Sequence, residues 1–218
     1  MSTHPNALTP LQTELLPPNI ELTSYDNGIY KSFQIHAFNF HDVECTVHHG
    51  LDLVLPQGEK SAPLTIRQET ALLLGGFGLG SRASAAFINP DLDMKLIKSR
   101  RFAAYKKLEA HAINDLPYSL SVFIQNGGIT FDRKLEPAQP VPPLTLECFP
   151  GLARGESMEE MGNSIHRSRD TVKGYFRDLY RAQRIGASLA SAVLFGHAAQ
   201  ILPNTLPSSE PPASTEQP

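Results

Sequence analysis

The sequence predicts a mainly α-helical protein with a small N-terminal β element and a C-terminal helix-turn-helix domain of three or four helices. Three observations support this fold class. Aromatic and β-branched residues recur with gaps near two between Ile20 and Pro63, which is typical of strands. Apolar residues recur at helical spacing from Leu64 onward. After Gly155, two serine-capped helical segments are separated by a short turn, and this is the helix-turn-helix layout.

Prolines and periodicity divide the chain into six stretches. Runs rich in proline cannot continue a helix or a central strand, so they mark arms and stiff linkers. A tail rich in Pro, Ser, Glu and Thr has little to bury and is expected to be disordered. The six stretches are a flexible arm (1–19), a small β-rich element (20–62), a helical domain (63–135), a Pro-rich linker (136–143), a helix-turn-helix domain (144–202) and a disordered tail (203–218).

Composition excludes several classes of protein. The 218 residues carry a formal net charge of −3 and are 19% charged, so the chain is not a uniformly basic, histone-like binder. No apolar run approaches the ~20 residues of a membrane-spanning helix, and the N-terminus lacks the pattern of a secretion signal. Cys45 and Cys148 form neither a disulfide framework nor a CxxC zinc site. We therefore expect a cytoplasmic protein with no membrane partner.

The strongest functional pattern begins with a pair of helix caps. Ser157 followed by Glu160 fits the capping-box pattern, which opens a helix. Met161 and Ile165 would then face inward. That helix ends within the run "HRS", and Ser168 is the cap candidate for a second helix.

The second helix carries two distinct rows of side chains. Val172, Phe176 and Leu179 have the spacing of a buried stripe. On another face, four cations are spaced by four residues; we call them the basic row: Arg169, Lys173, Arg177 and Arg181. Such cations repel one another in an isolated helix, but phosphates would neutralise them and release counterions. The alternative is a solvated basic face, partly balanced by Asp170 and Asp178.

From Leu152 to about Val193, the sequence resembles the LuxR-type helix-turn-helix domain of bacterial transcription regulators, without gaps. Gly155-x-Ser157 and Ser168-x-x-Thr171-Val172-Lys173 carry the resemblance. The resemblance implies base-facing positions for Lys173, Gly174 and Arg177. It implies positions facing the DNA backbone for Ser157, Arg169, Thr171 and Arg181.

The resemblance also implies a fourth helix and several departures from the family pattern. The fourth helix would run from Ser188 to Leu202, and many relatives use it to dimerise, so a homodimer through it is expected. The family's Arg-Glu-x-Glu signature is absent after Leu144-Thr145, and Pro150 is expected to shorten the first helix. Gly162 replaces a usual Ala, and Gly174 leaves one reading position without a side chain.

A repeated sequence pattern is either a coincidence, since Pro-Leu-Thr is a common tripeptide, or a degenerate second copy of this domain. "PLTIRQETALLLGGFGLGS" begins at Pro63 and "PLTLECFPGLARGES" begins at Pro143. The segment after Phe87 is two or three residues too long for the family turn. Its role is either packing and pairing with a partner or reading DNA, and the cations that could line a groove are Lys95, Lys98, Arg101 and Lys106.

The remaining patterns do not predict a cofactor or an enzyme. His41, Cys45 and His49 would share one face of an extended strand, and these residue types can bind zinc. Because tight pairing of ligands is missing, we interpret them as a His-rich sheet and predict no metal site. "GGFGLG" (75–80) lacks a preceding strand and a following Gly-Lys-Ser/Thr, which excludes a nucleotide loop. No catalytic triad or dyad is apparent.

The sequence therefore predicts a bacterial transcription regulator that binds promoter DNA through a LuxR-type helix-turn-helix. Two alternatives stay open. One is an adaptor or antiactivator that does not bind DNA and pairs with another regulator. The other is a protein similar to the promoter-reading region of sigma factors, whose partner would be RNA polymerase.

Overall fold

A computed structural model describes residues 21–26, 31–89, 91–110 and 115–205, with side-chain environments from residue 34 onward. The arm predicted for residues 1–19 and the tail beyond residue 205 lie outside the described residues. The described chain has eight helices and a small sheet built mostly from N-terminal strands. The mainly helical fold with a small N-terminal β element is therefore confirmed. No helix in these ranges has the length and apolarity needed to cross a membrane.

The main sheet is antiparallel and has the strand order β1-β2-β3-β6. Its inward side is set by alternation, because Val43, Cys45 and Val47 are buried and the residues between them are exposed. A separate two-stranded ribbon is formed by β4 and β5. The strands are β1 (Glu21–Asp26), β2 (Lys31–Phe40), β3 (Val43–Val47), β4 (Leu53–Val54), β5 (Lys60–Ser61) and β6 (Ile129–Phe131).

The small β-rich element predicted for residues 20–62 is extended by one strand from outside those bounds. Strand β6 follows the helical part of the first half and pairs with β3. An unpaired strand edge exposes backbone N–H and C=O groups, and β6 covers that edge of β3. The sheet and the helices that follow it therefore form one packed body, with β2 lying against the first two helices.

The first four helices form what we call the first unit. Its glycine-rich segment allows close helix packing: a Cβ at Gly75 would lie 2.7 Å from Leu116, and one at Gly76 would lie 2.9 Å from Leu120. The absence of a side chain at these glycines therefore allows α1 and α4 to pack closely. The helices are α1 (Ile66–Gly76), α2 (Ser81–Ile88), α3 (Met94–Lys107) and α4 (Asp115–Gln125).

The last four helices form the second unit. The prediction that Pro150 shortens the first of them is wrong, because this helix continues through Pro150 to Ala153. Proline removes one helical hydrogen bond, to the carbonyl of Leu146, and Leu146 lies on the exposed side of the helix, where water can replace that bond. The helices are α5 (Pro143–Ala153), α6 (Met158–Ser164), α7 (Arg169–Gln183) and α8 (Leu189–Ala198).

The two units pack their helices in the same way. Within the first unit α3 contacts α1, α2 and α4, and within the second unit α7 contacts α5, α6 and α8. The contacts between the units are reciprocal: α4 packs on α8, while α1 packs on α8 and α5 packs on α4. Such exchange of matching contacts is the property of a two-fold interface. One chain thus contains the arrangement of a dimer.

This pairing corrects the predicted homodimer. Every residue from Ala190 to Ala198 is buried, and α8 contacts α4 and α1 of the same chain. The surface expected to bind a second copy through Ser188–Leu202 is therefore already occupied by the first unit. The apolar residues of α8 need to be buried, and α4 and α1 of the same chain bury them.

The Pro-rich linker is fixed to the second unit by one buried side chain. The Gln183 side chain accepts a hydrogen bond from the backbone N–H of Ala138 at 2.9 Å and donates one to the carbonyl of Gln139 at 2.7 Å. Leu135 N–H also donates to the carbonyl of Ala198 at 2.8 Å. The linker is thus held along α7 and α8.

Candidate nucleic-acid interface

Helix α6 begins at the predicted capping box. The Ser157 hydroxyl accepts from the backbone N–H of Glu160 at 3.1 Å, and the Glu160 carboxylate accepts from the N–H of Ser157 at 2.7 Å. The hydrogen bonds from Ser157 lower the pKa of the Glu160 carboxyl. Met161 is buried and Ile165 is half-buried. This cap fixes the direction in which the chain enters helix α6.

The turn between α6 and α7 closes onto Gly162. Arg167 N–H donates to the carbonyl of Gly162 at 2.8 Å, and His166 takes a left-handed conformation with φ 56°. A Cβ at Gly162 would lie 2.5 Å from the carbonyl oxygen of Arg167. The glycine that departs from the family pattern is thus required by this turn.

Helix α7 begins at Ser168 and buries the predicted stripe. The Ser168 hydroxyl accepts from the N–H of Thr171 at 3.3 Å, so the predicted second cap is confirmed. Val172, Phe176 and Leu179 are 0%, 0% and 3% exposed, and α5, α6 and α8 surround this side of the helix. Packing of the stripe therefore turns the opposite side of α7 to solvent.

The basic row lies on that solvent side. Arg169, Lys173, Arg177 and Arg181 are all exposed. Because each residue advances about 100° around an α-helix, a row spaced by four residues drifts by about 40° at each step. The row therefore winds by roughly 120° around the helix from its first to its last member.

Few acidic groups compensate this charge. Arg177 lies 3.5 Å from Asp178, but both side chains are about two-thirds exposed, at 64% and 67%, so the pair stabilises the helix very little. Within the described part of the chain, Arg169, Lys173 and Arg181 make no ion pair. An uncompensated row of this kind favours an anionic partner.

The other predicted site residues take several positions around the row. Thr171 is half-buried, and its hydroxyl lies 2.9 Å from that of Ser168. Ser157 is half-buried, and its hydroxyl is used as the cap of α6. Gly174 lies on α7 beside open space, because no atom lies within 4 Å of a Cβ built there. Its missing side chain is thus not required by packing within the chain.

A groove of about 610 Å³ runs between the linker and α7. Arg181 lines this groove together with Tyr175 and Pro140. The last cation of the basic row therefore borders the linker, whereas Arg169 lies at the opposite end of the helix. The sequence predicted the row but not this groove, because the position of the linker depends on Gln183.

One of the cations predicted to line a groove of the first unit is buried. Arg101 is 7% exposed and its guanidinium donates to the carbonyls of Ala71 and Leu79 and to the hydroxyl of Ser84, each at 2.9 Å. Burial lowers the pKa of Arg101. Its spacing on α3 places it on the buried side, so it holds α1 and α2 in place and does not stand among the exposed cations of α3. Lys95, Lys98 and Lys106 are exposed.

The His- and Cys-containing strand does not bring its three candidate ligands together on one face. His41 lies in the turn after β2 and is exposed, whereas Cys45 is fully buried. Burial raises the pKa of the Cys45 thiol to about 12, which opposes the thiolate that zinc requires. His49 Nδ1 lies 2.5 Å from the buried Glu69 carboxylate. Over the described ranges, no three such side chains cluster as a metal site would need.

Sequence reasoning missed one surface feature. Met94, Leu96 and Phe102 on α3 are 39%, 40% and 60% exposed, and they are three of the four large exposed hydrophobic residues among those described. Their exposure becomes visible only once the buried stripe of α3 is known. Because one buried position of α3 is an arginine, the spacing of its apolar residues does not show which side of the helix is buried.

No family model, no curated protein and no solved structure matches this chain. Its function must therefore be inferred from its own residues and their geometry.

Proposed function

We propose that this protein is a bacterial transcription regulator of the LuxR type that binds promoter DNA through α6 and α7. The observation that carries the proposal is the basic row, four exposed cations on a helix whose opposite side is fully packed. A helix of this diameter fits the major groove of DNA. The short connection to a second, capped helix is the arrangement that helix-turn-helix proteins use to present such a helix.

Each residue of the interface has a distinct role in this proposal. Lys173 and Arg177 lie mid-helix and would contact base edges, where Arg and Lys bond guanine O6 and N7. Arg169, Arg181, Thr171 and Ser157 would contact phosphates and fix the position of the helix on the duplex. Gly174 would allow close approach of the helix backbone, since the space beside it is open.

The pairing of the two units predicts how many chains bind one DNA site. Because α8 is covered by α4 and α1, each chain would bring one basic row to DNA without a second copy. We therefore expect one chain to protect one half-site, instead of two half-sites a helical turn apart. Sedimentation of the complex with a short duplex measures this ratio directly.

The test is DNA binding by the full chain as a function of salt. Genomic fragments captured by the tagged protein supply the duplex, and fluorescence anisotropy gives its affinity. Two phosphate neutralisations, by Arg169 and Arg181, predict a slope of log K against log salt of about −1.8. Arg177→Ala should cost about 1–3 kcal/mol in binding and relax specificity at one base position. Lys60→Ala, an exposed lysine on β5, is the matched control and should leave affinity and slope unchanged.

Two results would contradict the proposal. No retention of DNA at any salt concentration would favour the adaptor or antiactivator that pairs with another regulator. An unchanged affinity and footprint for Arg177→Ala, with copurification of RNA polymerase core, would favour a sigma-like protein.

A further inference from the structure

Helices α3 and α7 correspond position by position when counted from their N-caps, Asp93 and Ser168. The three buried positions of α3 and its buried C-cap, Leu108, fall at the same distances from the N-cap as the four buried positions of α7. In order, the pairs are Ile97 with Val172, Arg101 with Phe176, Ala104 with Leu179, and Leu108 with Gln183. The two helices therefore turn equivalent sides outward.

The outward positions that form the basic row in α7 have a different composition in α3. They are Met94, Lys98, Phe102 and Lys106, which we call the mixed row. Apolar and cationic side chains alternate along it. Phe102 is 60% exposed and Met94 is 39% exposed, and the Lys106 ammonium lies 5.7 Å from the centre of the Phe102 ring.

A depression of about 500 Å³ borders the mixed row. Lys98 and Phe102 form part of its wall, and the guanidinium-bearing side chain of Arg101 lines it from the protein interior, beside Asp115. Lys95 is exposed one position after Met94. The mixed row and the neighbouring Lys95 thus combine two apolar side chains with three exposed lysines, and the acidic groups beside them are Asp93 at the N-cap and Asp115 in the depression.

The chemistry of the mixed row favours a protein segment over DNA. Met94 and Phe102 stand where α7 has Arg169 and Arg177, so α3 lacks one phosphate contact and one base contact of the proposed DNA interface. Their exposed apolar side chains face water instead, and exposed apolar surface can mark a protein-binding site. Phe and Met are enriched at the core of protein-binding surfaces, and charged residues such as lysine belong to the rim. The excess of lysines requires acidic residues on the partner.

We propose that the mixed row is a docking surface for an amphipathic helix of a partner protein that carries apolar residues on one side and Asp or Glu beside them. The apolar side of that helix packs on Met94 and Phe102, and its carboxylates pair with Lys98 and Lys106. This inference goes beyond DNA binding and holds whether or not α7 binds DNA. It assigns the two units different partners, a duplex for α7 and an acidic helix for α3.

The test is a selection from a phage-displayed library of helical peptides about 15 residues long, which span the roughly 20 Å of α3. The full chain is the bait, and its Phe102→Ala variant is the counter-bait. We expect enriched peptides to carry Leu or Phe at helical spacing and a net negative charge. The best peptide, synthesised and labelled, should lose at least about tenfold in affinity with Phe102→Ala. Lys98→Glu with Lys106→Glu should shift the selection to peptides of net positive charge.

A matched variant in the second unit separates this inference from the proposed function. Arg177→Ala should weaken DNA binding and leave peptide affinity unchanged, whereas Phe102→Ala should do the reverse. Phe102 is largely exposed, so its substitution leaves the fold intact, and thermal unfolding verifies this. Three results would overturn the inference: no enrichment over Phe102→Ala, a tenfold loss of DNA affinity in Phe102→Ala, or self-association of the chain that Phe102→Ala abolishes.

Discussion

Helices α3 and α7 share their packing and differ on their surfaces. The three buried positions of α3 and its C-cap Leu108 lie at the same distances from the N-cap as the four buried positions of α7. Both helices contact three helices of their own unit. On the outside, α7 carries four cations where α3 alternates apolar residues with lysines. Helix packing thus constrains only the inner side of such a helix. The residues on its outer side can differ between the two units, and each outer side can bind a different partner.

The inner sides also differ at one position. Phe176 fills its place in α7 as an apolar side chain, whereas Arg101 occupies the corresponding place in α3 and donates hydrogen bonds to α1, to the α1–α2 connection and to α2. The space is similar, but the first unit depends there on polar contacts. The stability of the two units should therefore respond differently to apolar substitution.

The largest expected effect follows from this difference. Arg101→Met keeps only the aliphatic part of the side chain and removes the three hydrogen bonds of the guanidinium, while the Ser84 hydroxyl still donates to the carbonyl of Leu79 at 3.3 Å. A hydrogen bond that involves a charged group contributes about 1.5–3 kcal/mol, and removing a buried charge offsets part of the loss. We therefore expect a loss of about 2–4 kcal/mol in the free energy of unfolding, measured by urea denaturation. Lys98→Met, three residues away and exposed, is the control and should change stability by less than about 0.5 kcal/mol. Equal stability of the two variants would show that the Arg101 hydrogen bonds do not stabilise the first unit.

Sequence reasoning succeeded where the interactions are local. The caps at Ser157 and Ser168 and the stripe of Val172, Phe176 and Leu179 are present as predicted. A cap involves residues three positions apart, and a stripe follows from helical periodicity alone. The exposure of the basic row also follows, because the stripe defines its opposite side.

Sequence reasoning failed where distant segments meet. The burial of α8, the pairing of β6 with β3 and the fixing of the linker by Gln183 each join residues far apart in the chain. An apolar helix such as α8 needs a cover, but its sequence does not say whether that cover is a second copy or the same chain. Arg101 was misplaced because a charged residue at a stripe position is expected outside unless its acceptors are known.

The boundary between the two units provides the next largest effect. His197 on α8 is fully buried, with Nε2 3.0 Å from the hydroxyl of Ser121 on α4 and Nδ1 3.1 Å from Oδ1 of Asn204. Burial lowers the pKa of His197 to about 4 from 6.5. Between these values the unfolded chain binds the proton and the folded chain does not, so stability falls as pH decreases. The expected loss is about 1.4 kcal/mol per pH unit below 6.5, or about 2 kcal/mol at pH 5.

A conservative variant isolates this contribution. His197→Gln keeps polar atoms near Ser121 and Asn204 but has no proton to gain in this range, so its stability should vary less between pH 7 and pH 5 than that of the natural chain. Urea unfolding at both pH values gives the difference. Identical pH dependence of the two proteins would mean that groups other than His197 destabilise the chain in acid.

The smallest expected effect concerns Gly174, whose counterpart on α3, counted from the caps, is Ser99. Glycine within a helix costs up to about 1 kcal/mol relative to alanine, and at Gly174 no neighbouring atom would meet a Cβ. Gly174→Ala should therefore raise the free energy of unfolding by about 0.5–1 kcal/mol, visible as a higher urea midpoint. Gly162→Ala is the matched control and should destabilise the protein, because its Cβ would lie 2.5 Å from the carbonyl oxygen of Arg167. If Gly174→Ala stabilises the fold while Gly174→Leu weakens DNA binding, the glycine allows the helix to approach a duplex closely. If Gly174→Leu binds DNA as tightly as the natural chain, the helix does not contact DNA at that position.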